Sequence, residues 1–355
     1  MTTVGNYIEL KKDKRILLLT PGFPVNEQDD LCIPALQLFC LELLSRKVDL
    51  TIVSVHYPYE EKSYKWNGIA VHAMGGKNKR GLQRRSTLKN ARKKIEHLNE
   101  EQPFDLIHSF WLGECAGLGE KLATRLGLKH VCTLMGQDVL PSNRYLKKLK
   151  TLPYLITLST FHHDELQKNA TIESLIIPWG VEVDLQHREH ENSNDLITVG
   201  WLNNIKQQHQ FIHLISELKK TFPNIKSKIV GEGELEKELK GLAQTHGLQE
   251  NVVFTGSLNR RDTLAEMAKS KALVHTSQFE SFGMVLIEAL SQKTKVFSTP
   301  VGIAPEIDDI EKYHTFDELV EKVIHFLQGK KTTEAKTPLT IKSTVDHYLQ
   351  KVYLL

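Results

Sequence analysis

Short, wholly apolar runs alternate with stretches of helical spacing, and the pattern then starts again. No other feature constrains the fold of this chain as tightly. Strand-like runs lie at 15–20, 49–55, 105–109, 130–134, 154–159 and 174–177, with helical patterning at, for instance, 34–46 and 113–126. A short strand that is apolar throughout has both faces covered, as in a parallel sheet with helices on either side. From 195 the pattern restarts, with strands at 195–199, 226–230, 251–255, 272–276 and 295–298 and helices at 207–220, 235–246, 260–270 and 283–292. Two doubly wound, Rossmann-like α/β units in tandem follow. A length of 355 residues suits two such domains better than one. The expected division is 1–186, 187–331 and a tail at 332–355, with 187–194 as hinge, 332–336 as linker and 339–353 as a last amphipathic helix.

Open α/β sheets bind ligands beyond the carboxyl ends of their strands, so the informative residues are those at strand ends. In the second unit Lys206 follows the first strand, Gly231 and Gly233 the second, and Gly256 the third. A lysine there reaches a diphosphate as a point charge, although most lysines are simply solvated. Glycines there let a ligand approach the backbone, although ordinary turns use them too. The strongest signal is Glu280 and Glu288, eight residues apart, with Ser281, Phe282 and Gly283 between them and a helix opening near Met284. One carboxylate sits on the entry loop and the other about a turn and a half inside the helix. Between them lie free N–H groups and a partial positive charge. Hydroxyls and phosphates together fit such a cradle, and a sugar nucleotide carries both. Glu288 is flanked by apolar residues, where a buried carboxylate needs a partner and a solvent-facing one does not.

In the first unit Gly22 and Phe23 follow the first strand, His108 ends a later strand just before Trp111, and Asp138 follows the next. A strand-end histidine facing a cleft serves as acid, base or hydrogen-bond donor; the same residue can merely close its strand. Asp138 either accepts hydrogen bonds from a substrate hydroxyl or caps its own turn.

Charge and cysteines exclude several classes. The net charge is only +3, too little for a field that gathers nucleic acid. Locally, nine basic residues and no acidic one lie between Lys77 and Lys94. No aromatic interrupts them, which argues against single-stranded nucleic acid. An anionic membrane surface and a plain solvated helix face both fit. Cys32, Cys40, Cys115 and Cys132 show no metal or disulfide spacing and read as buried residues of a reducing compartment. Residues 1–15 lack the apolar core of a signal peptide, and no run approaches the roughly 18 apolar residues of a membrane span. The expected location is cytoplasmic, at most peripheral to a membrane. No metal-ligand cluster and no cofactor motif stands out.

Taken in order, the motifs resemble glycosyltransferase family 4, the retaining enzymes with the GT-B fold. The likeness runs from Ile16 to about Ile307. Its most specific part is Phe279-Glu-Ser-Phe-Gly283 followed by Glu288; also matching are Phe104-Asp-Leu-Ile-His108 with Trp111, Gly136-Gln-Asp138-Val, Ile177-Pro-Trp-Gly180-Val, Val199-Gly200 with Lys206, Val230-Gly-Glu-Gly233, Val253-Phe-Thr-Gly256 and Pro300-Val-Gly302. The resemblance implies two facing Rossmann-like domains, the second holding a UDP- or GDP-linked sugar and the first a glycan or lipid-linked acceptor. It assigns the catalytic positions to Glu280, Lys206 and His108. Glu280 would bind the donor sugar, Glu288 the ribose, and Gly283 and Met284 with Lys206 the diphosphate. The base would lie near Gly256, with Gly231, Gly233, Ser281 and Phe282 completing the donor side and Gly22, Phe23, Trp111 and Asp138 the acceptor side. It further implies metal-independent transfer and a C-terminal helix returning to the first domain, while the basic patch between Lys77 and Lys94 adds the expectation of a membrane-linked acceptor in cell-surface polysaccharide synthesis. Four positions depart from the family pattern: Trp201 stands for an arginine, Phe110 for a second histidine, Met135 for a histidine and Trp179 for an asparagine. These keep open a second reading, a non-catalytic subunit that binds a sugar nucleotide or a partner protein.

Overall fold

A computed structural model describes residues 14–147, 154–182, 193–329 and 339–353. The first half runs β1 (Arg15–Gly22), α1 (Pro34–Ser45), β2 (Asp49–Tyr57), β3 (Glu61–Trp66), β4 (Ile69–Met74), α2 (Gly81–Glu101), β5 (Leu106–Phe110), α3 (Glu114–Leu126), β6 (Lys129–Thr133), β7 (Leu155–Thr157), α4 (Thr160–Ala170) and β8 (Leu175–Ile176). The second runs β9 (Asn194–Val199), α5 (Gln208–Lys219), β10 (Ser227–Val230), α6 (Glu236–Thr245), β11 (Val252–Gly256), α7 (Arg260–Ala268), β12 (Ser270–His275), α8 (Met284–Ser291), β13 (Lys295–Ser298), β14 (Ile310–Lys312) and α9 (Phe316–Leu327), before α10 (Ile341–Tyr348). Strand order is β3-β4-β2-β1-β5-β6-β7-β8 in one sheet and β11-β10-β9-β12-β13-β14 in the other.

Why the strands are apolar throughout is visible in β1. Leu17 and Leu19 pack with Ala91 and Ile95 of α2 and Leu122 of α3. Ile16 and Leu18 face the other way, into the cluster with Phe39 and Leu43 of α1. The period-two alternation of a strand sends neighbours to opposite faces, and here both faces are dry. In the second sheet Leu196 joins Phe211 and Leu319 on one side, while Ile197 joins Ile287 on the other.

Each sheet has one point where its strand order reverses direction: between β1 and β5, and between β9 and β12. Ligands of doubly wound sheets sit in the crevice at that point. The last residues of these strands and the loops leaving them carry Pro21 and Trp111 in the first domain and Lys206 and Glu280 in the second.

The edge hairpin β3–β4 is antiparallel and had no place in the alternating pattern. Its turn is Asn67-Gly68, with φ of 46° and 87°, a backbone that asparagine and glycine accept most readily. The hinge expected at 187–194 falls mostly outside the described residues, and the linker at 332–336 wholly so.

The C-terminal segment returns to the first domain. Val181 bridges to Thr340, Arg46 Nη1 lies 3.0 Å from Asp346 Oδ1, and Lys129 Nζ donates to the Val352 carbonyl at 2.8 Å. Tyr348 packs edge-on against Phe39, which stacks on Trp179. Direct contacts between the domains gather around Ser281. Gly136 N donates to its Oγ at 3.0 Å, and Ser159 Oγ donates to its carbonyl at 2.8 Å. Thr160 N also donates to Glu306 Oε1 at 2.7 Å.

Candidate active site

In the second domain, three charged or polar side chains meet where the strand order reverses. Lys206 Nζ pairs with Glu280 Oε1, and His275 Nε2, at the end of β12, lies 2.9 Å from the same oxygen. His275 Nδ1 is held 3.0 Å from Ser298 Oγ of β13. Burial pushes the Glu280 carboxyl upward, but the His275 hydrogen bond and the Lys206 charge outweigh it and hold the pKa at about 2. Glu280 is therefore an anion throughout the physiological range. Gly302 fixes its loop: φ is +59°, and a Cβ there would sit 2.3 Å from the Phe282 carbonyl and 2.9 Å from Glu280 Cβ. That close approach accounts for the glycine of Pro300-Val-Gly302.

Gly283, left-handed at φ 87°, precedes α8 as its N-cap, and no side chain caps the helix. Its first N–H groups, beside Met284, are thus available to an anion next to Lys206. Inside the helix Glu288 Oε1 lies 3.2 Å from Arg260 Nε. Asn259 caps α7 by accepting from Asp262 N at 2.8 Å, which fixes where Arg260 starts. Burial raises the Glu288 pKa, and Arg260 works against that rise.

Several expected donor residues have other surroundings. Ideal Cβ atoms at Gly231 and Gly233 would meet the carbonyls of Gly200 and Leu202 at 2.0 and 2.3 Å. Their bareness lets this chain's own loops pack, which by itself requires glycine at both positions. Gly256 offers its carbonyl to Gly231 N at 2.9 Å. Phe282 is buried in the core, and Ser281 spans the domains. Trp201 is 53% exposed on the rim, its Nε1 donating to Glu234 Oε2.

In the first domain a cavity of about 410 Å³ opens among Pro21, His56, Trp111, Glu114, Asp138 and Tyr145. Trp111 holds a left-handed backbone at φ 64°, unusual for a bulky residue, with its N–H tied to the Thr133 carbonyl at 3.0 Å. Asp138 Oδ2 accepts from Leu112 N at 2.7 Å and Met135 N at 2.8 Å, stapling the loops after β5 and β6. Burial outweighs those two donors and raises its pKa to about 7. Glu114 is shared by His56 Nε2 at 3.0 Å and Arg84 Nη1 at 2.8 Å. Gly136, in the next loop, reaches Ser281, so this cavity lies beside the Glu280 loop.

Three first-domain expectations are corrected. His108 is fully buried, its Nδ1 2.6 Å from the Tyr353 hydroxyl and its Nε2 2.8 Å from Thr133 Oγ1. Burial drives its pKa well below the usual histidine value, so it is a neutral core residue under the C-terminal segment and not a cleft-facing acid or base. Phe23 is equally buried, edge-on to Trp66 at 5.0 Å, and offers nothing to an acceptor; Gly22 is buried against Cys32, Ile33 and Tyr57. Sequence pattern passed over two residues, His275 and Arg260 as the partner of Glu288. The available signal was position: one ends a strand, and the other opens the helix after the Gly256 loop.

Among the described residues, no group of three or more His, Cys, Asp or Glu side chains is arranged to hold a metal ion.

Comparison with known proteins agrees with this architecture. Residues 182–336 match the model "Glycosyl transferases group 1", and 23–163 match "Glycosyl transferase 4-like". An uncharacterized glycosyltransferase of Methanocaldococcus jannaschii is 28% identical over 274 residues, 75% of each chain. The glycogen synthase of Mycobacterium tuberculosis is 28% identical over 155 residues, 42% of this chain and 37% of its own. Among solved structures, sucrose-phosphate synthase from Thermosynechococcus elongatus superposes with a TM-score of 0.73 at 16% identity, over 96% of this chain and 95% of its own. Anabaena HepE, solved with UDP-glucose, gives 0.66 at 18% identity over 95% and 94%. Two facing Rossmann-like domains define the GT-B fold. With a glycosyltransferase model matching each half, the chain is a GT-B glycosyltransferase of the group 1 and 4-like type.

Proposed function

We propose that this chain is a retaining, metal-independent transferase of family 4 that moves a sugar from a UDP- or GDP-linked donor to a glycan or lipid-linked acceptor. The observation that carries this is the Lys206–Glu280–His275 cluster beside the uncapped start of α8, with Glu288 inside the helix. When the bond from sugar to diphosphate breaks, negative charge builds on the leaving phosphate. Lys206 and the N–H groups at Gly283 and Met284 supply positive charge there, and fixed donors in a dry site are the largest single source of catalysis in such reactions. One charge-assisted hydrogen bond contributes about 1.5–3 kcal/mol. Glu280, ionised, accepts from sugar hydroxyls and is unsuited to act as a proton donor. Glu288 accepts from the ribose, and the base lies near Gly256.

With His108 in the core, the acceptor hydroxyl loses its proton to the leaving phosphate on the same face, and the anomeric configuration is kept. The acceptor occupies the first-domain cavity beside Trp111 and Asp138. The solution of HepE with UDP-glucose favours a uridine donor. α2 and its approach expose Lys77, Lys79, Arg80, Arg85, Lys89, Arg92 and Lys93, together with Leu82, 80% exposed. That face suits an anionic membrane surface and an acceptor for cell-surface glycan synthesis built there. Among the described residues no helix is long and apolar enough to cross a membrane.

Incubation with UDP- and GDP-sugars and candidate acceptors tests the proposal. Release of nucleotide with transfer or hydrolysis is expected. Nucleotide binding with no turnover of any donor would instead make the chain a non-catalytic subunit.

A further inference from the structure

We propose that Arg260 is a positioning residue for nucleotide binding: it keeps Glu288 an anion aimed at the ribose, so that affinity for the nucleotide does not depend on pH near neutrality. This rests on the reading of Glu288 as the ribose acceptor.

The geometry is specific. Arg260 is the first residue of α7, fixed by the Asn259 cap, and its Nε lies 3.2 Å from Glu288 Oε1. Both side chains are largely covered, 20% and 17% exposed, so water screens the pair little. The other charged groups on the elements packed around α8 are engaged elsewhere. α8 itself has no second ionisable side chain. On α7, Asp262 is bonded to Asn259 and Glu266 to Lys228 and Lys269, while Arg261 is exposed. On β12 and β13, Lys271 pairs with Asp195, His275 lies against Glu280 and Ser298, and Lys295 pairs with Glu311. Among the described residues, Arg260 is left to oppose the burial of Glu288.

The chemistry follows from the hydroxyls. A carboxylate accepts from two neighbouring hydroxyls at once, whereas a carboxylic acid spends one oxygen on its own proton. Without the guanidinium, burial acts unopposed and Glu288 takes up a proton at higher pH than before. Nucleotide affinity should then fall at neutral pH and recover as pH rises. A lysine at 260 keeps the charge and should keep most of the effect, although it gives up the rigid fork.

The test is titration calorimetry of the whole chain with UDP and GDP between about pH 6 and pH 8.5, on the parent and on Arg260→Gln, Arg260→Lys and Glu288→Gln. The parent should bind one nucleotide with affinity nearly flat above about pH 7. Arg260→Gln should lose about tenfold at pH 7, equivalent to about 1.4 kcal/mol, and regain it toward the alkaline end. Arg260→Lys should stay nearly flat. Glu288→Gln should bind weakly at every pH, and adding Arg260→Gln to it should change nothing further. That last comparison holds even where the single Arg260→Gln chain is poorly stable. A pH-independent loss in Arg260→Gln, or an additive loss in the double variant, overturns the positioning role and leaves the sugar-nucleotide reading standing. Absence of UDP and GDP binding by the parent overturns both.

Discussion

Glu280 is covered by protein and yet remains charged, because His275 and Lys206 share one of its oxygens. Its pKa lies below the ordinary value of 4.5, at about 2. The carboxylate therefore contributes stability that is complete above about pH 4.5 and is lost as pH falls toward 2. Glu280→Gln should cut transfer by at least about 100-fold and lower the melting temperature at neutral pH, with the deficit fading in acid. Unchanged turnover would remove Glu280 from the site. Asp138 works in the opposite direction. Its raised pKa means stability is fully present below the ordinary 3.8 and is lost as pH rises toward about 7. Asparagine accepts the same two backbone N–H bonds without the charge, so the melting temperature of Asp138→Asn relative to the parent should climb between about pH 4 and 7. A difference that is flat across that range would contradict the buried-carboxyl account. At this scale Glu280, Glu288 and Lys206 were legible because their strand-end positions and apolar setting carry the signal. His108 was not: its sequence position is the same whether its ring faces a cleft or a returning C-terminal tyrosine 245 positions away.

Strands and helices were largely legible because both faces of each sheet are dry, and continuous apolar runs report that directly. The β3–β4 hairpin escaped because β3 alternates between exposed and half-buried positions, with only Trp66 in the core, and β4 alternates buried with half-buried positions from Ile69 to Ala73 where the other strands are apolar throughout. Only its Asn67-Gly68 turn announced it. α2 was visible as charge and not as a helix, since only Ala91, Ile95 and Leu98 reach the core. The rest of α2 presents its cations outward. Each basic residue near an anionic surface contributes about 1 kcal/mol. Replacing Lys79, Arg80, Lys89 and Lys93 by glutamine should therefore weaken binding to phosphatidylserine vesicles by roughly three orders of magnitude, with UDP binding unchanged. No binding of the parent chain to such vesicles would end the membrane proposal.

The whole molecule is tied together by contacts between positions far apart in the sequence. Ser281 joins the Glu280 loop to Gly136 and Ser159 of the other domain. The C-terminal segment closes the first domain, with Tyr348 and Tyr353 lying over Phe39, His108 and Thr133. Short-range pattern does not encode such pairings, which depend on partners hundreds of positions apart. The family pattern did imply the returning helix, though not what it covers. Tyr348→Ala opens a cavity beside Phe39, takes the Tyr348 partner from Trp179 Nε1 and leaves Thr133 Oγ1 with His108, so it should cost about 3–5 kcal/mol in urea unfolding, most of it in the first domain. A loss below about 1 kcal/mol would show that the segment is only loosely docked.

The loop between β12 and α8 is the proposed seat of the nucleotide. A crystal structure of the chain with UDP tests that placement most directly. The diphosphate is expected within hydrogen-bond reach of Lys206 Nζ and the N–H groups of Gly283 and Met284, with the ribose on Glu288. UDP seated in the first-domain cavity, or a second domain that stays empty at saturating UDP, would contradict it.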